Sequence, residues 1–248
     1  MRDVVHLQRQ DGIATVVMED RESKNTFSKE LTSGLLKTFD EIQKDKTVKA
    51  VVLRGFENYF CCGGTREELL KIYSGEAVFT DGHIHDLLLR CEVPVISAMQ
   101  GHALGGGLAL GSYADILVMG TQCLYSTNFM KYGFTPGFGS TFIIPKRFGD
   151  TLGREMLFTA RNYHGAELKE RGAGAIIVDK NEVVSTAMKL ARELVEKPRL
   201  ALVTLKKHFS SAIEADLTEC IRKELRMHEL TFSQPEVRER IETLFGNA

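Results

Sequence analysis

Twelve residues constrain the fold more than any others: Gln100-Gly101-His102-Ala103-Leu104-Gly105-Gly106-Gly107-Leu108-Ala109-Leu110-Gly111, directly after the apolar run Val93 to Met99. An apolar run, a glycine cluster and a small-residue segment spell a strand, a sharp turn and a helix lying close to the sheet. Such a turn aims free backbone N–H groups outward at the start of a helix. There they hold a phosphate or a developing oxyanion. The same residues serve equally well as a tight strand-to-helix turn with no ligand. The GxGxxG spacing of a dinucleotide site is absent.

A second glycine turn, Asn58-Tyr59-Phe60-Cys61-Cys62-Gly63-Gly64-Thr65, follows a strand ending near Leu53 and precedes a helix over Arg66 to Ile72. Two such loops from neighbouring strands can each offer one N–H to the same oxygen, which makes an oxyanion hole the sharper expectation. Around them strand-like and helix-like runs alternate, indicating α/β layering. Val4 to Leu7 and Ala14 to Met18 flank Asp11-Gly12 and read as a hairpin. Leu31, Leu35, Phe39 and Ile42 recur at helical spacing after Ser28, an N-cap. Ala50 to Leu53, Val93 to Met99, Ile116 to Met119 and Gly174 to Val178 read as buried strands, and strand, turn and helix return about every 40 to 50 residues. A core over residues 1–184 gives way to a helical region over 185–248, with helices over Thr186 to Glu196, Leu200 to Ala212 and Asp216 to Thr231. Ser233-Gln234-Pro235-Glu236 has capping-box spacing and opens a last helix.

Composition narrows the function. Thirty-two basic side chains against 33 acidic ones leave a formal charge of -1, so nothing electrostatic favours nucleic acid or an anionic membrane. No apolar run approaches a bilayer's thickness, and the polar start, MRDVVHLQRQDG, is not a signal peptide. Five cysteines, at 61, 62, 91, 123 and 220, show no CxxC metal spacing, so the expectation is a reduced, cytoplasmic, soluble protein without a metal.

FCCGGT, GHALGGGLAL and PGFGST (Pro136 to Thr141), in that order, resemble the enoyl-CoA hydratase/isomerase, or crotonase, superfamily. The hairpin, the DRxxKN segment from Asp20 to Asn25 and the helical C-terminus fit it too, so the resemblance spans the whole chain. It implies an α/β spiral of ββα units, a C-terminal helical trimerisation region, an acyl thioester substrate and an oxyanion hole made by the N–H groups of Gly64 and Gly106. It also implies a homotrimer or a dimer of trimers.

The departures from that family say more about the reaction. Its hydratases carry one Glu in the helix after the triple glycine and another some twenty residues on. Those positions here are Ala109 and Phe129. Hydration needs one group to activate water and one to protonate the α-carbon. A methyl and a phenyl do neither. Decarboxylation of a carboxylate conjugated to a thioester makes its own carbanion and needs no base, and two Glu anions would repel that carboxylate.

Asn128 to Gly137, Met99 to His102 and the ending MHELTF look very like the crotonase-like decarboxylases of polyketide β-branching cassettes. That likeness implies a 3-methylglutaconyl-type thioester on an acyl carrier protein or on CoA, no further cofactor, and a His and a Lys flanking the substrate carboxylate. The His matches His228, which lies on the stripe Leu217, Ile221, Leu225 and His228. The Lys sits variably after the first glycine loop, in one pattern at the position of Val78; Lys71 is the nearest lysine, with Tyr73 and His85 as other polar candidates beside Phe129 and Ala109 as pocket positions. Taken alone, Arg66, Glu67, Glu68 and Lys71 read as a solvated helix face. Two rival readings remain. One is an enoyl-CoA hydratase or isomerase using Glu67 or Asp115; the other is an inactive crotonase-like binding protein. His102 is read as support for the glycine turn, Cys61-Cys62 as an exposed loop, and Lys146-Arg147 and Lys206-Lys207-His208 as solvated basic clusters.

Overall fold

Asp11 and Gly12 both hold positive φ, 52° and 80°, which is what a two-residue turn between right-twisted strands requires. They join β1 (Val5–Gln10) to β2 (Ile13–Met18) in an antiparallel pair. The computed structural model describes residues 2–245. After the hairpin, α1 (Lys29–Lys44) starts at Ser28, whose hydroxyl accepts the Leu31 N–H. Leu31, Leu35, Phe39 and Ile42 are all buried beneath it, as their spacing predicts.

Three ββα units follow. β3 (Ala50–Arg54), β4 (Tyr59–Cys61) and α2 (Arg66–Ser74) form the first, and β5 (Val95–Met99), β6 (His102–Leu104) and α3 (Gly106–Ser112) the second. The third is β7 (Ile116–Gly120), β8 (Leu124–Ser126) and, after a 3-10 turn at Met130–Tyr132, α4 (Ser140–Phe148). Then come α5 (Asp150–Thr159), β9 (Tyr163–His164), α6 (Gly165–Glu170) and β10 (Ile176–Val178). First strands collect in a six-stranded sheet ordered β1-β2-β3-β5-β7-β10, parallel beyond the hairpin; second strands form a smaller sheet, β4-β6-β8-β9. The units begin at Ala50, Val95 and Ile116, and β10 at Ile176, so the even repeat expected from sequence is not kept. The long connections are the segment after α2 and the α4–α6 helices.

The central strands are buried on both faces, as parallel sheets are. Val51, Leu53, Val95, Met99, Leu117 and Met119 meet α1, α3 and α4 in the main core. Their alternates Ala50, Val52, Ile96, Ala98 and Val118 meet Val183, Ala187 and Ala191 of α7 (Val183–Val195). The period of two therefore reads directly as two layers.

Sequence suggested two helices across Leu200 to Thr231; the chain forms one, α8 (Arg199–Thr231), about 50 Å long. Nothing between Ala212 and Asp216 breaks a helix. A continuous buried stripe, Leu202, Lys206, Ser210, Ile213, Leu217, Glu224 and His228, holds α8 to the core. Glu224, not Leu225, occupies the stripe's turn before His228. The final helix, α9 (Pro235–Leu244), starts with Pro235 after Gln234, and the Ser233 capping box does not form. Its Val237 and Ile241 pack with Phe129, Tyr132, Phe134 and Phe232 and with Leu69 and Leu70 of α2.

In the two basic clusters Lys146, Lys207 and His208 are exposed as expected, but Arg147 and Lys206 turn inward. Arg147 donates to the carbonyls of Ser112 and Ala114. Lys206 is buried, with its ammonium 2.8 and 3.0 Å from the Asp115 carboxylate and 3.1 Å from the Leu88 carbonyl. Among the described residues no helix is long and apolar enough to cross a membrane.

Lys206 is buried, but the Asp115 carboxylate is 24% exposed and keeps the Val95 N–H, so losing the lysine costs less than breaking a fully buried pair. Lys206→Ala should lower the unfolding free energy by about 1.5–3 kcal/mol, read from urea denaturation. An unchanged midpoint would show that Asp115 is well solvated without its lysine.

Candidate active site

The first glycine loop is held by the DRxxKN segment. Asn25 is fully buried; its amide donates to the Met18 and Phe60 carbonyls, 3.0 and 2.9 Å away, and its oxygen accepts the Asp20 N–H. This ties the end of β2 to β4. Two residues on, the Phe27 N–H donates to the Gly63 carbonyl at 2.7 Å. The Cys61 thiol donates to the Asn25 carbonyl and is buried, which raises its pKa. Cys61 is therefore not in an exposed loop. Cys62 is partly buried, and burial pushes its thiol up to about 11, so neither cysteine is a ready nucleophile.

The second glycine loop is fixed by close approach. Gly105 has φ 53° and ψ -124°, and a Cβ there would stand 2.6 Å from the Asn128 side-chain oxygen. A Cβ on Gly107 would stand 2.1 Å from the Cys61 carbonyl oxygen. The two loops thus touch backbone to backbone. His102 supports the turn as expected, accepting the Leu124 N–H on Nδ1 at 3.0 Å. Among the described residues, nothing accepts the N–H of Gly64 or of Gly106. Gly106 is the first residue of α3, where orphan N–H groups carry the positive end of the helix dipole.

Both loops open on one cavity of about 650 Å³, lined among others by Gly63, Gly64, Gly105, Gly106, Phe129 and His228. Its walls are aromatic: Phe27 stacks on Phe138 at 5.1 Å, and Phe134 on Phe232 at 4.1 Å. The segment after α2 adds Val78, Phe79 and Ile84 to the wall. Of the acidic side chains on the lining, Asp81 is exposed, Glu67 and Glu68 hold Lys71, and Glu30 is partly buried in the first turn of α1.

His228 is buried among Phe79, Phe134 and Phe232, with ring centroids 5.3, 6.2 and 4.9 Å away. Its Nε2 lies 2.8 Å from the Thr135 carbonyl oxygen. A carbonyl only accepts, so Nε2 carries the proton and Nδ1 is the ring's bare nitrogen. Burial lowers the pKa from 6.5 to about 4, against the pull of the Thr135 and Pro136 carbonyls. The ring is neutral at pH 7.

The remaining candidates divide. Lys71 borders the cavity, its ammonium 2.8 Å from Glu67 and 3.3 Å from Glu68, which also raises its pKa. Phe129 lines the cavity; Ala109 does not, being fully buried one turn into α3 behind the glycines. Tyr73 packs with the α2–α9 apolar cluster instead of the cavity. His85 stands behind Phe79 and Phe138, 6.5 and 6.0 Å between centroids, and does not line the cavity. Val78 does line it. Asp115, paired with Lys206, is not on the lining.

Sequence reading missed Phe27, Phe79, Phe138 and Tyr132 on the lining, and Glu224 beneath it. Phe138 sits inside a motif already singled out. Tyr132 lies in the Asn128 to Gly137 segment that carries the decarboxylase likeness, and Phe79 carries no local pattern that marks it.

The chain matches the enoyl-CoA hydratase/isomerase family over residues 8–245. It is 47% identical over 241 residues to the bacillaene synthase decarboxylase PksI of Bacillus subtilis, covering 97% of each chain. A structure from a dehydratase/decarboxylase enzyme couple involved in polyketide β-branching superposes with a TM-score of 0.97 at 48% identity, over 98% of this chain and all of the other. The ECH2 decarboxylase domain of CurF from Lyngbya majuscula gives a TM-score of 0.94 at 41% identity, with 98% and 100% covered.

The pKa of His228 has a consequence for stability. It lies below the unfolded value, so between about pH 4 and 6.5 the unfolded chain binds a proton that the folded one excludes. The contribution is complete above pH 6.5 and is lost as pH falls towards 4, amounting to about 3 kcal/mol. Urea unfolding of His228→Gln should show a flatter acid limb than the wild type. Parallel limbs would mean that His228 is solvated.

Proposed function

The chain belongs to the enoyl-CoA hydratase/isomerase family, and from that premise we propose that its reaction is loss of CO2 from an acyl thioester in polyketide β-branching. It is a crotonase-fold decarboxylase; the bacillaene synthase decarboxylase and the CurF ECH2 decarboxylase domain both match it over nearly their whole length. The observation that carries this reading is one cavity lined by Gly64 and Gly106, whose N–H groups have no acceptor among the described residues, while the two positions where hydratases keep acids hold Phe129 on the lining and Ala109 buried behind it.

The substrate we propose is a 3-methylglutaconyl-type group on the phosphopantetheine arm of an acyl carrier protein. Its thioester oxygen accepts from Gly64 and Gly106. The bond between the carboxylate carbon and the γ-carbon breaks, CO2 leaves, and the electron pair runs into a dienolate whose charge rests on the held oxygen. Protonation then gives a 3-methylcrotonyl-type product. Apolar walls suit this sequence, because the charge disperses as the reaction proceeds.

His228 has a definite part in it. With Nε2–H committed to Thr135, the bare Nδ1 repels a carboxylate unless it binds a proton. An arriving carboxylate favours that proton, and the imidazolium so formed can hand it to the dienolate carbon. Lys71 is the proposed second partner, and the substrate must compete for it with Glu67 and Glu68. The chemistry needs no cofactor beyond the carrier arm. We also take the protein to be cytoplasmic and to assemble as a homotrimer or dimer of trimers; exposed Leu205 and Phe209 on α8 support an assembly.

Intact-mass analysis of the acylated carrier should show loss of one CO2, whereas gain of one water would overturn the assignment. Crotonyl-CoA should not be hydrated. His228→Ala should lower kcat by about 10²–10⁴-fold. Lys71→Ala should raise KM roughly tenfold, about 1.4 kcal/mol, with a smaller effect on kcat.

A further inference from the structure

One face of α8 grips the loop that carries the partner of His228. Glu224 stands four residues before the histidine and Thr231 three residues after it. Glu224 is fully buried, and no cation is recorded beside it. Its carboxylate accepts the Gly139 N–H at 2.7 Å, the Thr141 N–H at 2.8 Å and the Thr141 hydroxyl at 2.7 Å. Those two N–H groups lie at the start of α4, whose own N-cap residue is Gly139 and has no side chain to offer. Glu224 therefore caps α4 from 85 residues away.

At the other end of the loop, Thr231 holds Thr135. Its hydroxyl oxygen is 3.3 Å from the Thr135 N–H and 3.0 Å from the Thr135 hydroxyl, and it donates to Met227 within α8. Between these anchors the Thr135 carbonyl meets Nε2 of His228. Gly137 lies against the ring, since a Cβ there would come within 2.6 Å of Cε1. Phe138, at φ 67°, keeps its carbonyl on the Tyr113 hydroxyl at 3.1 Å.

We propose that Glu224 and Thr231 are positioning residues that hold the Thr135–Thr141 loop so that the Thr135 carbonyl fixes His228 in the Nε2–H tautomer, with Nδ1 left for the substrate carboxylate. The proposal rests on the reading of His228 as the group that meets that carboxylate. Burial raises the Glu224 pKa, and a buried carboxyl held by the Gly139 N–H, the Thr141 N–H and hydroxyl and the Cys220 thiol costs more than an apolar side chain would. A role confined to packing gives no reason to keep it. The clamp does, because its three short hydrogen bonds all come from the loop that orients the histidine.

The test uses the full chain labelled with 15N in its histidine rings. The free wild type should show one His228 tautomer, with Nε2 protonated. In Glu224→Gln the amide NH2 faces an N–H donor, and in Thr231→Val the hydroxyl is gone at nearly constant shape. Both variants should shift the His228 signals towards a mixture of tautomers. Both should lower kcat on the acylated carrier at least tenfold while KM stays within about twofold, and Thr231→Ser should restore both readouts. A single Nε2–H tautomer retained in both variants overturns the proposal, as does a mixed tautomer with kcat unchanged. Should Glu224→Gln not fold, Thr231→Val decides alone. The ring signals are read without substrate, so they decide the positioning role even if the wild type releases no CO2.

Discussion

A Cβ on Gly107 would lie 2.1 Å from the Cys61 carbonyl oxygen, and one on Gly63 2.8 Å from the Leu104 carbonyl and 3.2 Å from the Gly106 nitrogen. These contacts exist because the first and second ββα units run their turns against each other with no side chain between them. The site depends on that approach. It brings two N–H groups that have no acceptor among the described residues to the wall of a single cavity. Asn25 holds one loop from the side of β2 and His102 holds the other from the side of β8. The proposed oxyanion hole is thus part of the sheet framework, set before any substrate enters.

What such a hole does is decided by what else lines the cavity. An oxyanion hole stabilises any thioester enolate; acids around it select hydration or isomerisation. Here the position one turn into α3 is a buried methyl and the later one is a phenyl. Glu67, the lining carboxylate weighed as an alternative base, is exposed and paired with Lys71, and Asp115 is spent on Lys206. The remaining polar group of consequence is an imidazole that burial keeps neutral. A site that offers electrostatic stabilisation and an imidazole, but no free carboxylate at the two hydratase positions, suits a reaction that makes its carbanion by losing CO2.

Much of this was legible in the sequence, for identifiable reasons. The glycine clusters, the hairpin turn and the α1 stripe are local patterns, fixed by backbone sterics and helical period, and the structure keeps each of them. The family motifs placed Gly64 and Gly106, and the departures at Ala109 and Phe129 pointed to the reaction. Spacing failed where contacts are long-range. Asp216 reads as a helix start, yet α8 runs through it because its buried stripe continues on both sides. Tyr73 and His85 are polar residues in the right stretch, but α2 and the segment after it turn them towards an apolar cluster and behind two phenyl rings.

Glu224 shows the limit most clearly. In sequence it is one of several charged residues in IRKELRMHE; it lies seven residues after Leu217 and four before His228, on their helical face, yet the apolar pattern at that turn points to Leu225. The structure buries it completely and leaves its neighbour Leu225 only partly covered. Its reason for burial lies at Gly139 and Thr141, on a helix start that lacks a capping side chain. An uncapped glycine turn in one part of a chain and an unexplained acid on a distant helix are each uninformative. They become a signal only as a pair, since the orphan N–H groups of one are the donors that the other's charge requires. That pairing also explains why the PGFGST motif and the MHELTF ending belong to one site: the first anchors the loop whose Thr135 carbonyl, just ahead of it, meets the histidine, and the second supplies the histidine.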